Sequence, residues 1–264
     1  MYNFDYQRPQ SVADAAKAIG GKDEAKLLAG GMTLIPTLKQ RLAKPSDLVD
    51  LGRIAELKGI KRGGNAIVIG AMTRHADVAA SDVVKSAIPA LAALAGGIGD
   101  PQVRNRGTIG GSLANNDPAA DYPAAVLGLN ATVITNKRRI SADDFFKGMF
   151  ETALGQDEII TAVSFPVAEK AGYSKFPNPA SRYAIVGVLV ARTGGQVRVA
   201  VTGAGPVVFH QKEMEAALSR SFTPDAVANV KQSASGLNSD IHASAEYRAH
   251  LVTVMAKRAV AAAG

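Results

Sequence analysis

The chain has 264 residues, 47% of them apolar, with 30 Lys and Arg against 23 Asp and Glu for a net charge of +7, and no cysteine or tryptophan. Zero cysteine excludes disulfides, cysteine-ligated zinc, thiol catalysis and any iron–sulfur cluster held by this chain alone, and it fits a reducing, cytoplasmic setting. A chain of this length buries about 70% of its unfolded surface, enough for one large domain or two modest ones.

The opening residues, Met1 to Gln10, have neither a basic nor an apolar leader pattern, so no signal peptide is expected. The longest apolar run, Tyr183 to Ala191, is far shorter than the roughly 20 residues a membrane-spanning helix needs. Basic residues are scattered. The densest group, Lys137-Arg138-Arg139, reads as a solvated hairpin tip, and no nucleic-acid partner is expected.

In chain order, Ser11 caps a helix over Val12 to Ile19, with Asp14 as its capping-box partner and Gly20-Gly21 as its end. Ala25 to Ala29 is a strand. Gly30 to Thr33 then turns into a helical pattern that Thr33 is placed to cap, with Pro36 in the first turn. Leu48 to Leu51 and Ala66 to Ala71 are strands. Val83 to Ala95 is helical with a break at Pro89. Asp117-Pro118 reads as an N-cap followed by Pro at the first helical position. Ala131 to Thr135 and Ile140 form a hairpin, Ser141 caps a short helix, and Glu158 to Phe165 is a strand.

After Pro166 the composition changes. The residues from Ala168 to Tyr183 look irregular and hold Pro177 and Pro179, so they read as a linker. Tyr183 to Ala191 is an apolar strand, turned by Gly194-Gly195 into Gln196 to Thr202. There Val197, Val199 and Val201 alternate with Arg198, Ala200 and Thr202, the pattern of a half-buried strand. Helices follow, one starting at Thr223-Pro224 and one at Ser244. The chain therefore divides near residue 170 into a mixed, glycine-rich part and an α+β part of strands followed by helices.

Two clusters stand out among the 26 glycines. Ala29-Gly30-Gly31-Met32-Thr33 places consecutive glycines before a helix, where backbone N–H groups can converge on a phosphate without Lys or Arg. Thr108-Ile109-Gly110-Gly111-Ser112 repeats the pattern, and Asn115, Asn116 and Asp121 follow with groups suited to sugar or polyol hydroxyls. Each loop alone also reads as an ordinary turn. Two in one chain suit a pyrophosphate, hence a dinucleotide. Neither fits the G-x-G-x-x-G or P-loop pattern. His75 reads as a cap or surface residue, Arg104 and Arg106 as solvated or interface residues. The other histidines have no metal-ligand spacing. No catalytic residue and no metal site is expected.

These two loops, the stretch Asp100 to Ala124 and the opening Phe4 to Pro9 resemble the FAD-binding medium subunits of molybdenum hydroxylases, the family of aerobic carbon monoxide dehydrogenase and xanthine dehydrogenase. The resemblance covers essentially the whole chain. It implies an α+β, PCMH-type (vanillyl-alcohol-oxidase-like) FAD fold over 1–168, with α/β subdomains of about 1–55 and 56–168, and a carboxy-terminal domain of antiparallel sheet and helices over 169–264.

By position it implies that Ala29 to Thr33 and Thr108 to Ser112 share the FAD pyrophosphate. Asp121 would reach the ribityl chain, Ile98 would pack near the flavin, Tyr183 would shield the isoalloxazine and Ile160 would lie near the adenine end. Met32 stands where the family usually has His, Ser112 where Asn is more usual, and Pro177 where some members have a Lys. The implied function is electron transfer from a small 2Fe–2S subunit and a large molybdopterin subunit, as a dimer of heterotrimers, through FAD to a quinone, NAD or oxygen. Peripheral membrane association through that complex is compatible with it. The alternatives are a stand-alone FAD oxidoreductase of the same fold and a non-catalytic phosphate- or RNA-binding module.

Overall fold

The computed structural model describes residues 1–264. It opens with β1 (Asp5–Gln7), α1 (Val12–Ile19), β2 (Lys26–Leu28), α2 (Leu34–Lys39) and β3 (Asp47–Asp50). These strands form a parallel sheet ordered β1-β3-β2. Ser11 caps α1 by accepting from the Asp14 N–H, and its hydroxyl donates to the Asp14 carboxylate at 2.7 Å. A small core of Ala15, Ile19, Val49, Leu51, Ile54 and Leu57, with Met72 and Ile159 from the next unit, lies under α1.

Then come β4 (Ile60–Gly63), β5 (Ala66–Gly70) and a run of helices: α3 (His75–Ala80), α4 (Asp82–Ala87), α5 (Pro89–Gly96), α6 (Pro101–Arg104), α7 (Ile109–Asn115) and α8 (Tyr122–Gly128). The predicted break at Pro89 is present, because a proline is tolerated where a helix begins. The Asp117-Pro118 prediction is corrected. Asp117 accepts from the Ala119 N–H in a turn, and the helix starts only at Tyr122. The hairpin β6 (Thr132–Thr135) and β7 (Arg139–Ser141), α9 (Ala142–Phe145), β8 (Phe146–Gly148), β9 (Glu151–Thr152) and β10 (Ile160–Pro166) complete the unit. Its main sheet is antiparallel, ordered β4-β5-β10-β6-β7. The hairpin tip is tied down rather than merely solvated. Arg138 pairs with buried Glu158 at 2.9 Å, and Lys137 pairs with Asp157.

The stretch expected to be a linker is a strand, β11 (Lys170–Pro177). It pairs with β12 (Ala184–Thr193), which pairs with β13 (Gln196–Thr202) and then β14 (Phe209–His210). The helices α10 (Lys212–Arg220) and α11 (Ala245–Ala262) follow, with a 3-10 turn at Pro224–Val227 between them. Ser244 caps α11 through the Tyr247 N–H, as predicted, whereas Thr223 makes no side-chain cap.

This sheet is covered on both faces. Val197, Val199 and Val201 pack with Met214, Leu218, Val252 and Met255 of the helices. The opposite face of β13 lies on the preceding unit: Ala200 joins the main core, Thr202 donates to the Pro118 and Ala120 carbonyls, and Arg198 reaches Asp143. The alternation seen in the sequence therefore separates two buried faces, not core from solvent. Helix α8 is buried all round between them, since a Cβ on Gly128 would stand 2.5 Å from Leu189 Cδ2. No helix is long and apolar enough to cross a membrane.

Candidate functional site

The loop between β2 and α2 carries the strongest signal for an anion. None of the backbone N–H groups from Ala29 to Thr33 meets an acceptor within the chain. Five unpaired donors run in succession, part-buried at Ala29 to Gly31 and exposed at Met32 and Thr33, and the part-buried ones call for a partner, since such groups are nearly always satisfied. Gly31 adopts φ +77, which favours glycine. A Cβ on Gly30 would fall 2.1 Å from the Arg106 carbonyl oxygen, so the two glycine-rich segments are in backbone contact. Thr33 is not a cap. Its backbone is helical and its side chain makes no capping bond, which leaves the loop's donors free. Met32 is exposed.

The second loop is built differently. It is the N-terminus of α7, and Thr108 caps it by accepting from Gly111 at 3.2 Å. Ile109 N–H donates to Thr73 O, Gly110 N–H to Ala71 O and Ser112 N–H to Thr108 O. Its backbone donors are largely consumed by the fold. The Thr108 N–H and the hydroxyl of Ser112 have no intrachain partner and remain for a ligand. Gly110 is needed because Ala71 crosses so closely: a Cβ there would lie 2.6 Å from Ala71 Cβ. Asn116 is structural, not a polyol ligand. It is buried, sits at φ +43, and donates to the Gly148 and Glu151 carbonyls at 2.7 and 2.8 Å.

Asp121 lies at the start of α8 and is buried. Its carboxylate accepts from the Tyr173 hydroxyl and from Lys175 Nζ at 3.0 Å. Burial pushes its carboxyl pKa up; the Lys175 charge and the Tyr173 hydrogen bond pull it down. Lys175 also donates to Gly97 O at 2.9 Å and Arg182 O at 2.8 Å. One ammonium thus gathers three segments: the turn carrying Ile98, the start of α8, and the approach to Tyr183. Both donors were missed in the sequence because β11 was read as a linker. The sequence carries no period-2 signal there, since Lys175 shares a face with Ala171 and Tyr173, and Phe176 shares the other with Gly172 and Ser174.

Ile98 is half-buried against the main core. Tyr183 is 43% exposed, and its hydroxyl lies beside Thr33 of the first loop. Burial and the charge of Asp117 push its phenol up. Ile160 is buried in the main core on β10, opposite Thr135. His75 is likewise no surface residue. Its ring is buried, packs on Tyr122 at 5.3 Å and is held down to about 4, by burial first and then by the Arg104 charge. Arg104 donates to Ile98 O and Gly99 O, fixing the turn that presents Ile98.

The set suits a diphosphate-bearing ligand that spans the first loop, the Ser112 hydroxyl and the Tyr183–Asp121 side of the cleft. The free donors of this set are backbone amides, and the Lys175 ammonium is already paired with Asp121.

Comparison with known proteins gives consistent matches. A family described as the FAD binding domain in molybdopterin dehydrogenase matches residues 2–168, and one described as the CO dehydrogenase flavoprotein C-terminal domain matches residues 171–263. The carbon monoxide dehydrogenase medium chain of Hydrogenophaga pseudoflava is 36% identical over 98% of this chain and 96% of its own length. The nicotine 6-hydroxylase medium subunit of Paenarthrobacter nicotinovorans is 37% identical over 98% and 96%. A solved structure of reconstituted CO dehydrogenase from Oligotropha carboxidovorans superposes with a TM-score of 0.89, at 33% identity, covering 99% of this chain and 97% of that one.

Proposed function

This chain belongs to the FAD-binding medium subunits of the molybdenum hydroxylases, and from that membership we propose that it relays electrons from iron–sulfur clusters of a partner subunit, through FAD, to an external acceptor. FAD is its cofactor. The observation that carries the reading within this chain is the run of unpaired N–H groups from Ala29 to Thr33 beside the buried Lys175–Asp121 pair. When bound, FAD supplies the ability to take electrons singly and release them in pairs.

The chain's own residues would bind and orient it. The amides of Ala29 to Thr33 would hold the pyrophosphate, helped by the Thr108 N–H and the Ser112 hydroxyl. Asp121, oriented by Tyr173 and Lys175, would accept from a ribityl hydroxyl. Ile98 and Tyr183 would pack against the ring system. Ile109, Gly110 and Gly111 support the loop rather than contact the ligand, and Ile160 supports the core.

With no cysteine, the chain cannot ligate an iron–sulfur cluster. The clusters of this relay would therefore sit on a separate small subunit, with the molybdopterin on a large one. The names medium chain and medium subunit borne by the relatives support such partners. Purification of the native complex tests the reading. The expected result is this chain with a smaller and a larger partner, flavin absorption, iron and molybdenum. A colourless chain that cannot be reconstituted with FAD, or a flavoprotein lacking iron-bearing partners, overturns it.

A further inference from the structure

The turn between β5 and α3 is stitched to the second glycine loop through backbone. Arg74 and Thr108 form an antiparallel bridge, His75 N–H donates to Gly107 O at 3.0 Å, and Ile109 N–H donates to Thr73 O at 3.1 Å. The side chain of His75 extends this contact. A Cβ on Gly107 would lie 2.5 Å from His75 Nε2 and 2.8 Å from Cδ2, so the ring rests directly on the Gly107 backbone, where any side chain would block it.

Gly107 is also touched from the first loop. A Cβ on Gly30 would lie 2.8 Å from the Gly107 Cα. His75, Gly107 and Gly30 therefore form one chain of contacts, from the buried interior to the loop with the free amides. The same ring packs on Tyr122, with centroids 5.3 Å apart. Gly107 directly precedes Thr108, and Tyr122 directly follows Asp121. One side chain thus sits between the supports of three parts of the candidate FAD site.

The ring acts by contact. Its Nδ1 and the Tyr122 hydroxyl are both buried with no partner in the chain, so the two rings meet without a hydrogen bond between them. Burial first, then the Arg104 charge, hold the His75 ring down to about 4, so it carries no charge at neutral pH. Its backbone is fixed at the start of α3, whose Val78 lies in the main core, and Tyr122 is fully buried. A side chain wedged between packed backbone and a buried ring cannot shift without moving one of them.

We propose that His75 is a positioning residue for FAD: by spacing Gly107 from Tyr122 it sets the second loop, and through Gly107 the first loop, against Asp121. This rests on FAD lying between the two loops and Asp121. Truncating the ring leaves the phosphate-facing amides, the Ser112 hydroxyl and the Asp121 carboxylate all present but no longer held in register. A site with every group in place and a loose support binds its ligand weakly.

The test titrates FAD into the full chain stripped of flavin, and reads dissociation constants alongside thermal midpoints. His75→Ala is expected to weaken FAD binding about tenfold or more, and His75→Gln, which keeps the reach of the side chain, to stay within about threefold of the unaltered chain. Val78→Ala truncates a fully buried core residue on the same helix, and should lower the midpoint while leaving FAD affinity unchanged. Gly107→Ala meets the ring from the other side and should cost FAD affinity as His75→Ala does; it decides the outcome if His75→Ala does not fold. The proposal is overturned by unchanged affinity in His75→Ala or Gly107→Ala, by equal losses in His75→Ala and Val78→Ala, or by a loss in His75→Gln as large as in His75→Ala. An unaltered chain that takes up no FAD overturns the FAD reading and this proposal with it, whereas the other results overturn the proposal alone.

Discussion

Lys175 and Asp121 form an ion pair at 3.0 Å that is almost wholly buried and joins β11 to the start of α8. The ammonium spends its remaining donors on Gly97 O and Arg182 O, so the pair is saturated rather than merely close. Removing one partner of such a pair leaves an uncompensated charge in the interior. Lys175→Met is expected to lower unfolding free energy by about 3–5 kcal/mol, read from the urea midpoint. Adding Asp121→Asn to that background should recover much of the loss, because the orphaned charge is gone. A double variant no more stable than Lys175→Met would show that the pair does not matter in this way.

The two glycine loops respond differently to substitution. Gly31 has φ +77, and its Cβ would lie 2.8 Å from a movable Ile35 side-chain carbon. Gly31→Val should strain the loop and abolish FAD retention while the chain stays folded. At Gly110 the Cβ would lie 2.8 Å from the backbone oxygen of Ala71, which cannot move aside. Gly110→Val should lower the thermal midpoint far more than Gly31→Val. Circular dichroism melts with bound-flavin absorbance separate the two effects, and equal melts would refute the distinction.

His75 gives a defined acid sensitivity. Its folded value is depressed to about 4, against about 6.5 in an unfolded chain. Below pH 6.5 the unfolded chain takes up a proton that the folded chain refuses. Its contribution is fully present above pH 6.5 and is lost progressively as pH falls toward 4, a total of about 3 kcal/mol. His75→Gln should flatten stability against pH in that window. Denaturant curves at several pH values check this. A slope unchanged by the substitution would mean that the ring is solvated.

Glu158 acts at lower pH. Its side chain is buried, and hydrogen bonds from Arg138 first, then from Gly155 and Thr135, hold its carboxyl down to about 2 despite burial. The stabilisation is present above the ordinary carboxylate range and is lost as pH falls through about 2. Glu158→Gln should reduce acid lability between pH 4.5 and 2 by up to one proton taken up on unfolding. Equal acid midpoints for the two proteins would rule out this coupling.

Much of the fold was legible because its signals are local. Ser11 with Asp14, Pro89, Ser244, and the hairpin around Lys137 each encode an element through a few neighbouring residues, and each is found in place. The failures share a cause. Lys170–Pro177 carries no period-2 signal, and becomes a strand because Tyr173 and Lys175 meet Asp121 on one side. On the other side Gly172 admits the backbone of α11, where a Cβ would lie 2.0 Å from Ala259 O. Thr33 and Asp117 have the residue types of caps, but the backbone around them turns otherwise. Lys137-Arg138-Arg139 looked solvated because Glu158, the partner of Arg138, lies about twenty residues away.

The amino-acid sequence alone showed that the chain has no cluster-ligating cysteine and carried, in its two glycine loops and the stretch Asp100 to Ala124, the resemblance that implies the family and FAD. Only the tertiary structure decided how the two glycine loops divide the work. Their sequences are near repeats, yet Ala29 to Thr33 keeps its amides free, while Thr108 to Ser112 spends them on Thr73, Ala71 and its own cap. A hydrogen-bond donor is available or consumed according to what the rest of the chain brings beside it, and that depends on contacts between segments distant in sequence.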